Sequence, residues 1–135
     1  MDYLPLFSHL ANKSVLLVGG GQVAERKARL LLDAGACVTL VSPTLCPELQ
    51  PLADNQTLRW IKEPFAPGHM DAMWLVIAAT HRREVNRQVF EEATRRRLFC
   101  NVVDDPELSS FVMPSIVDRS PLLVAISSAG QAPVL

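Results

Sequence analysis

The sequence predicts an α/β domain built on a doubly wound parallel sheet, and three observations carry that prediction. Short continuous apolar runs alternate with segments of helical period, the pattern of strands buried on both faces. Three consecutive glycines, Gly19, Gly20 and Gly21, stand between the first apolar run and the first helical segment. The alternation breaks after Phe111, where two short apolar runs follow one another with no helix between them. The chain has 135 residues, 49% of them hydrophobic, and a net charge of −1, so one domain with a real core is expected. Neither a nucleic-acid footprint nor a disordered tail is indicated.

Taken in order, residues 1–13 form a lead-in whose Leu4, Leu6, Phe7 and Leu10 are expected to cover one end of the core. Ser14–Val18 is a buried strand. In the following helix Val23, Leu30, Leu31 and Ala34, with Ala24 beside them, form the apolar face opposite Glu25, Arg29 and Asp33, and Gly35 stops it. Cys37–Val41 is a second strand, closing a β-α-β unit of about thirty residues. Residues 46–53 are expected to form a short helix, 58–62 a third strand, 64–70 a loop and 74–79 a fourth strand. Thr80 is placed to cap a helix over 83–97, and 99–103 form a further strand before Asp104-Asp105-Pro106. Residues 115–117 and 122–127 read as a hairpin joined by 118–121, an appendage that need not join the main sheet and can pair with a second subunit.

Between strand and helix, Gly19-x-Gly21-x-x-Ala24 has the spacing of the G-x-G-x-x-G/A dinucleotide fingerprint. The first glycine permits the tight turn, and the second lets a diphosphate approach the backbone. Ala24 lets helix and strand pack closely, and the helix N-terminus offers N–H groups and partial positive charge. An ordinary glycine-rich turn is the competing reading; the strand before and the helix after favour a nucleotide. In a Rossmann-like sheet the strand C-terminal ends share one edge, so the glycine loop, residues 42–44, Ala79-Thr80 and residues 101–104 should converge there. The acidic residue expected about twenty positions past the first glycine is missing, and Ser42 stands near its place. No Arg or Lys lies close by to take a 2′-phosphate, which favours NAD over NADP, held by hydroxyl and backbone contacts around Pro43 and Thr44. The candidate cofactor residues are Gly19, Gly20, Gly21, Gln22, Val23, Pro43, Thr44, Ala79, Thr80 and Asn101.

The runs VGGGQVAERK (18–27), Ala78-Ala79-Thr80, Asn101-Val102-Val103-Asp104 and Phe111-Val112-Met113-Pro114-Ser115 together resemble the N-terminal part of the sirohaem synthases. That part is the precorrin-2 dehydrogenase and sirohydrochlorin ferrochelatase module, and the resemblance covers essentially the whole chain. It implies NAD-dependent oxidation of precorrin-2 to sirohydrochlorin, then insertion of ferrous iron, a substrate, to give sirohaem. It also implies a homodimer formed partly by residues 115–128, a catalytic aspartate at Asp104 and phosphorylation at Ser128. The expected division is a Rossmann-like NAD-binding domain over residues 1–113 and the start of a dimerisation region over 114–135.

Two features depart from the family. Its fused members continue into a helical segment and a uroporphyrinogen-III methyltransferase domain, whereas this sequence ends at residues 131–135, where another helix is expected to start, so it reads as a fragment. After Thr80 come His81-Arg82-Arg83, where the family pattern is commonly acidic; this is a more basic pocket rim or simply solvated surface.

Dehydrogenation and chelation both remove protons, and both want a carboxylate base over the macrocycle, within reach of a positioned cofactor. Asp104 is the candidate, although Asp-Asp-Pro also reads as a plain turn, the role left to Asp105. For the carboxylates of a tetrapyrrole, Arg119 and Ser128 are the candidate partners, with Arg82, Arg83 and Lys27 behind them. Ser128 reads equally as an ordinary Ser/Gly loop or helix cap, and the arginines as solvated surface. Phe111 and Met113 read as packing. His9, His69 and His81 have no ligand spacing, and Cys37, Cys46 and Cys100 form no CxxC, so no resident metal and no disulfide framework is expected. The cysteines fit a reducing cytoplasm. The apolar stretches fall short of a membrane span, and the N-terminus lacks the features of a signal peptide. Two other readings stay open: an NAD-binding regulatory module, which is expected to keep the missing acidic residue, and a folded, dimerising but inactive fragment.

Overall fold

The computed structural model describes residues 1–128, so the helix expected to start at 131–135 lies outside the described residues. Seven strands and three α-helices follow in the order β1 (Ser14–Val18), α1 (Gln22–Asp33), β2 (Cys37–Val41), α2 (Gln50–Asp54), β3 (Arg59–Ile61), β4 (Leu75–Ala78), α3 (Arg83–Arg96), β5 (Phe99–Val102), β6 (Ser115–Arg119) and β7 (Leu122–Ile126). The first five strands form one parallel sheet in the order β3-β2-β1-β4-β5. The chain therefore winds outward from β1 to β3, then returns to β1's other side for β4 and β5. The gap between the ends of β1 and β4 is the switch point at which such sheets bind ligands.

Each strand feeds two layers, because successive side chains point to opposite faces. Val15, Leu17, Val38, Leu40 and Ile77 pack with Ala24, Ala28 and Leu31 of α1. Leu16, Val18, Val41, Val76, Cys100 and Val102 pack with Val89 and Ala93 of α3. Both faces of the sheet are thus covered, which is why its strands read as unbroken apolar runs.

Several boundaries differ from expectation. The buried face of α1 is Ala24, Ala28 and Leu31, while Ala34 lies beyond the helix end and is exposed. Small residues on that face let α1 sit close on the sheet. Gly35 takes φ +80 just past the helix, as a stop requires. Of the lead-in residues only Leu10 packs on the core; Leu4, Leu6 and Phe7 are exposed. Trp74 is exposed beneath the Lys13 ammonium, so β4 begins at Leu75. The expected helix over 46–53 shortens to α2 because Pro51, which lacks an N–H, fits only a first turn. Within 64–70, Pro67–Met70 forms a single 3-10 turn. The first hairpin strand runs on to Arg119 and the second ends at Ile126, with Arg119 paired to Leu122 across a two-residue turn, and the hairpin forms a separate two-stranded antiparallel sheet. Phe111 and Met113 pack against the α1-side core, and the Phe111 ring meets Phe99 edge-on at 6.0 Å.

Candidate dinucleotide site

The glycine loop is shaped by what its first two residues touch. Gly19 adopts φ +134, and a Cβ there would stand 2.4 Å from the Ala79 carbonyl oxygen at the end of β4. At Gly20 a Cβ would meet the Thr44 carbonyl oxygen at 2.0 Å and Ser42 Oγ at 2.6 Å. The Cys46 N–H also donates to the Gly20 carbonyl at 2.7 Å, tying the loop to the segment after β2. Gly21 is different. Its Cβ direction opens onto space whose nearest atom is His81 Nε2, 3.9 Å away. Gly21 is also the N-cap of α1, with no side-chain cap, so the first-turn N–H groups are left for another acceptor.

The end of β2 turns its side chain inward. Ser42 is buried, and its hydroxyl donates to the Thr44 carbonyl at 2.7 Å in a tight local turn. The Trp60 indole N–H donates to the Ser42 carbonyl at 2.9 Å. Ser42 therefore braces the loop, leaving Pro43 and Thr44 exposed on the rim. Parallel pairing of β3 with β2 brings up Trp60, and the Lys62 ammonium lies 5.9 Å from its ring centroid.

Thr80 does not cap α3; the N-cap is Arg82 and its side chain does not serve. Instead the Thr80 hydroxyl donates to Asn86 Oδ1 at 2.6 Å and accepts from the Arg82 N–H at 3.2 Å. Asn86 is buried and returns a bond from Nδ2 to the Thr80 carbonyl at 3.2 Å. Sequence reasoning missed Asn86, although a polar residue in register with buried Val89 and Ala93 on α3 was its signal. Asn101 is likewise spent: it is buried and its Nδ2 donates to the Phe111 carbonyl at 3.0 Å.

At the end of β5, the Val103 N–H donates to the Ala78 carbonyl, holding the two strand ends together. Asp104 then takes φ +60, a left-handed conformation that aspartate tolerates better than most residues. It is exposed, and among the described residues its carboxylate has no partner. Asp105 is anchored instead: Arg83 Nε donates to it at 2.9 Å, while the same guanidinium reaches Glu107 at 3.4 Å. Hydrogen bonding to Asp105 raises the Arg83 pKa further, so this cation is permanent and occupied. Ser109 Oγ accepts the Val102 N–H at 2.9 Å and donates to the Asp105 carbonyl at 2.8 Å, closing the turn.

The sheet edge thus brings together Gly19, Gly20, Ser42, Thr44 and Ala79 by direct approach, with Gly21 and His81 beside them. Thr80 and Asn101 belong to the edge, but their side chains are committed to the protein. Gln22 and Val23 open α1, Gln22 exposed and Val23 half-buried. Arg119 ends β6 and Ser128 follows β7, so both belong to the hairpin segment of the chain; the Arg119 guanidinium donates to the Asp118 carbonyl.

A family model described as "Putative NAD(P)-binding" matches residues 6–115. Siroheme synthase 1 of Aeromonas salmonicida is 64% identical over all 135 residues, which make up 29% of its length. Siroheme synthase 2 of Klebsiella pneumoniae is 57% identical over the same span, 30% of its length. The chain therefore spans about three tenths of these relatives. Among solved structures, SirC, a precorrin-2 dehydrogenase, superposes with a TM-score of 0.82 at 26% identity, covering 97% of this chain and 64% of that one. With the glycine loop at the switch point of a five-stranded parallel sheet and the model spanning most of its residues, the chain belongs to this NAD(P)-binding family.

Proposed function

We propose that this chain is the NAD-dependent precorrin-2 dehydrogenase portion of a sirohaem synthase, with Asp104 as its base. The observation that carries the reading is the 64% identity to a sirohaem synthase across every residue of the chain, strand ends and loops included. The fold shared with a precorrin-2 dehydrogenase supports it.

The residues present fit a dinucleotide. The open space at Gly21, faced by the uncapped first turn of α1, suits a diphosphate. Gln22 and Val23 supply backbone donors there, and exposed Pro43 and Thr44 suit the adenosine ribose. Gly19, Gly20, Ala79, Thr80 and Asn101 act as the frame. A bound nicotinamide supplies the two-electron acceptor. The chain's own part is to hold the macrocycle at the β4–β5 end of the edge and to take up the proton that oxidation releases. Asp104 suits that second role because its carboxylate is exposed and unpaired while its neighbour Asp105 is pinned. Arg119 and Ser128, from the dimerisation region over 114–135, are assigned to the substrate's carboxylates. The chain works as a homodimer in the cytoplasm. Iron insertion is left to the longer protein.

Anaerobic NAD reduction with precorrin-2, followed by absorbance, tests the reading. NADH should form with the native chain and not with Asp104→Asn, while both bind NAD. A native chain that binds NAD without ever reducing it defeats the dehydrogenase assignment and leaves a binding module or an inactive fragment.

A further inference from the structure

We infer that His81 is a ligand of the dinucleotide's diphosphate, donating a hydrogen bond across the space in front of Gly21. The inference rests on the dinucleotide reading of the site and adds a residue that the glycine fingerprint does not contain.

The three glycines divide by what limits them. Gly19 and Gly20 are closed off by protein atoms, the Ala79 and Thr44 carbonyls, so packing within the chain already excludes a side chain at each. Packing makes no such demand at Gly21. Among the described residues, and apart from the adjoining backbone, the only atom within 4 Å of a Cβ placed there is His81 Nε2, at 3.9 Å. The room left by the missing side chain is bounded on one side by the first turn of α1 and on another by an imidazole nitrogen. An anion seated in that room, accepting from the helix N-terminus, comes within hydrogen-bond reach of Nε2.

His81 is free for the role. It is exposed, and among the described residues its ring takes part in no hydrogen bond or ion pair. Its backbone is held from both sides. Thr80 is locked to Asn86 and to the Arg82 N–H, and α3 begins directly after, at Arg83. The imidazole therefore projects from a short, fixed segment, which lowers the entropy lost on engaging a ligand. Both the Nε2-protonated neutral ring and the imidazolium can donate from Nε2.

Isothermal titration of the full chain with NAD, ADP-ribose and adenosine tests this. The first two carry the diphosphate and the last does not. His81→Ala should weaken NAD and ADP-ribose about tenfold, the loss of one charge-assisted hydrogen bond at a half-open site, and leave adenosine unchanged. His81→Gln, which keeps a donor of similar reach, should recover part of the loss, and thermal melts of both variants should match the native chain. Unchanged NAD affinity in His81→Ala overturns the inference while leaving the dinucleotide site intact. An equal loss for adenosine also overturns it, because the effect is then not on the diphosphate. A native chain that binds neither NAD nor ADP-ribose defeats the dinucleotide reading itself and this inference with it. NAD binding without precorrin-2 turnover defeats only the dehydrogenase assignment.

Discussion

A methyl group is a fine enough probe to separate folding from binding in the glycine loop. Gly20→Ala drives a Cβ into the Thr44 carbonyl at 2.0 Å, so backbone must move, at a cost of about 1–3 kcal/mol. Gly21→Ala meets nothing closer than 3.9 Å and loses only about 1 kcal/mol or less, from a poorer N-cap. Urea unfolding should rank the two in that order, whereas NAD titration should show both as weak binders, Gly21→Ala because its methyl occupies the ligand's space. Asp104→Asn makes the complementary separation. Asparagine tolerates φ +60 as well as aspartate does and differs only in losing the proposed base. The melting curve and NAD affinity should stay native while turnover of precorrin-2 falls by roughly 10²–10⁴-fold.

Strand β5 carries two demands at once, since one end supports the core and the other presents Asp104. Ser109 serves both by accepting the Val102 N–H and bonding the Asp105 carbonyl. Ser109→Ala leaves a buried N–H unpaired and should cost about 1–3 kcal/mol in urea unfolding. It should also lower kcat while NAD affinity holds, because the turn that aims Asp104 is loosened. In the middle of the strand, burial pushes the Cys100 thiol up from 9.0 to about 12. The folded chain keeps this proton where the unfolded chain loses it. The contribution is therefore fully present below about pH 9 and lost as pH rises from there through about 12. Unfolding free energies at about pH 8 and about pH 10.5 should fall more steeply for the native chain than for Cys100→Val. These elements were legible in the sequence where burial alone decides them: Ser14–Val18, Cys37–Val41 and the cores of β4 and β5 are apolar runs. Partners across space were not. Thr80 sits where a cap belongs but bonds Asn86, and Asn101 sits at the edge but bonds Phe111. Nothing local distinguishes those choices from ligand contacts.

Across the molecule, the five-stranded sheet buries both faces, whereas every strand residue of the β6–β7 hairpin is exposed. A lone two-stranded hairpin is marginal in water, so this one needs a surface to lie on. Its register supplies the reason to expect one. The pairs Ser115–Ile126, Val117–Val124 and Arg119–Leu122 share a face, gathering four apolar side chains that nothing in the described chain covers. The opposite face pairs Ile116 with Ala125 and Asp118 with Leu123, so it carries a charge at its centre. An apolar, self-complementary strip of this kind fits the same strip on a second copy, the arrangement a two-fold dimer requires. Sedimentation equilibrium should show the chain as a dimer that dissociates on dilution, and Val124→Asp, which puts a charge at the centre of the strip, should leave only monomer. Because Val124 belongs to the separate two-stranded sheet and not to the glycine-loop edge, NAD affinity should survive the change. Turnover should not, if Arg119 and Ser128 hold the substrate as proposed and the dimer orders their region. A native chain that is monomeric at all concentrations yet turns over precorrin-2 would refute the dimer and detach the hairpin from catalysis.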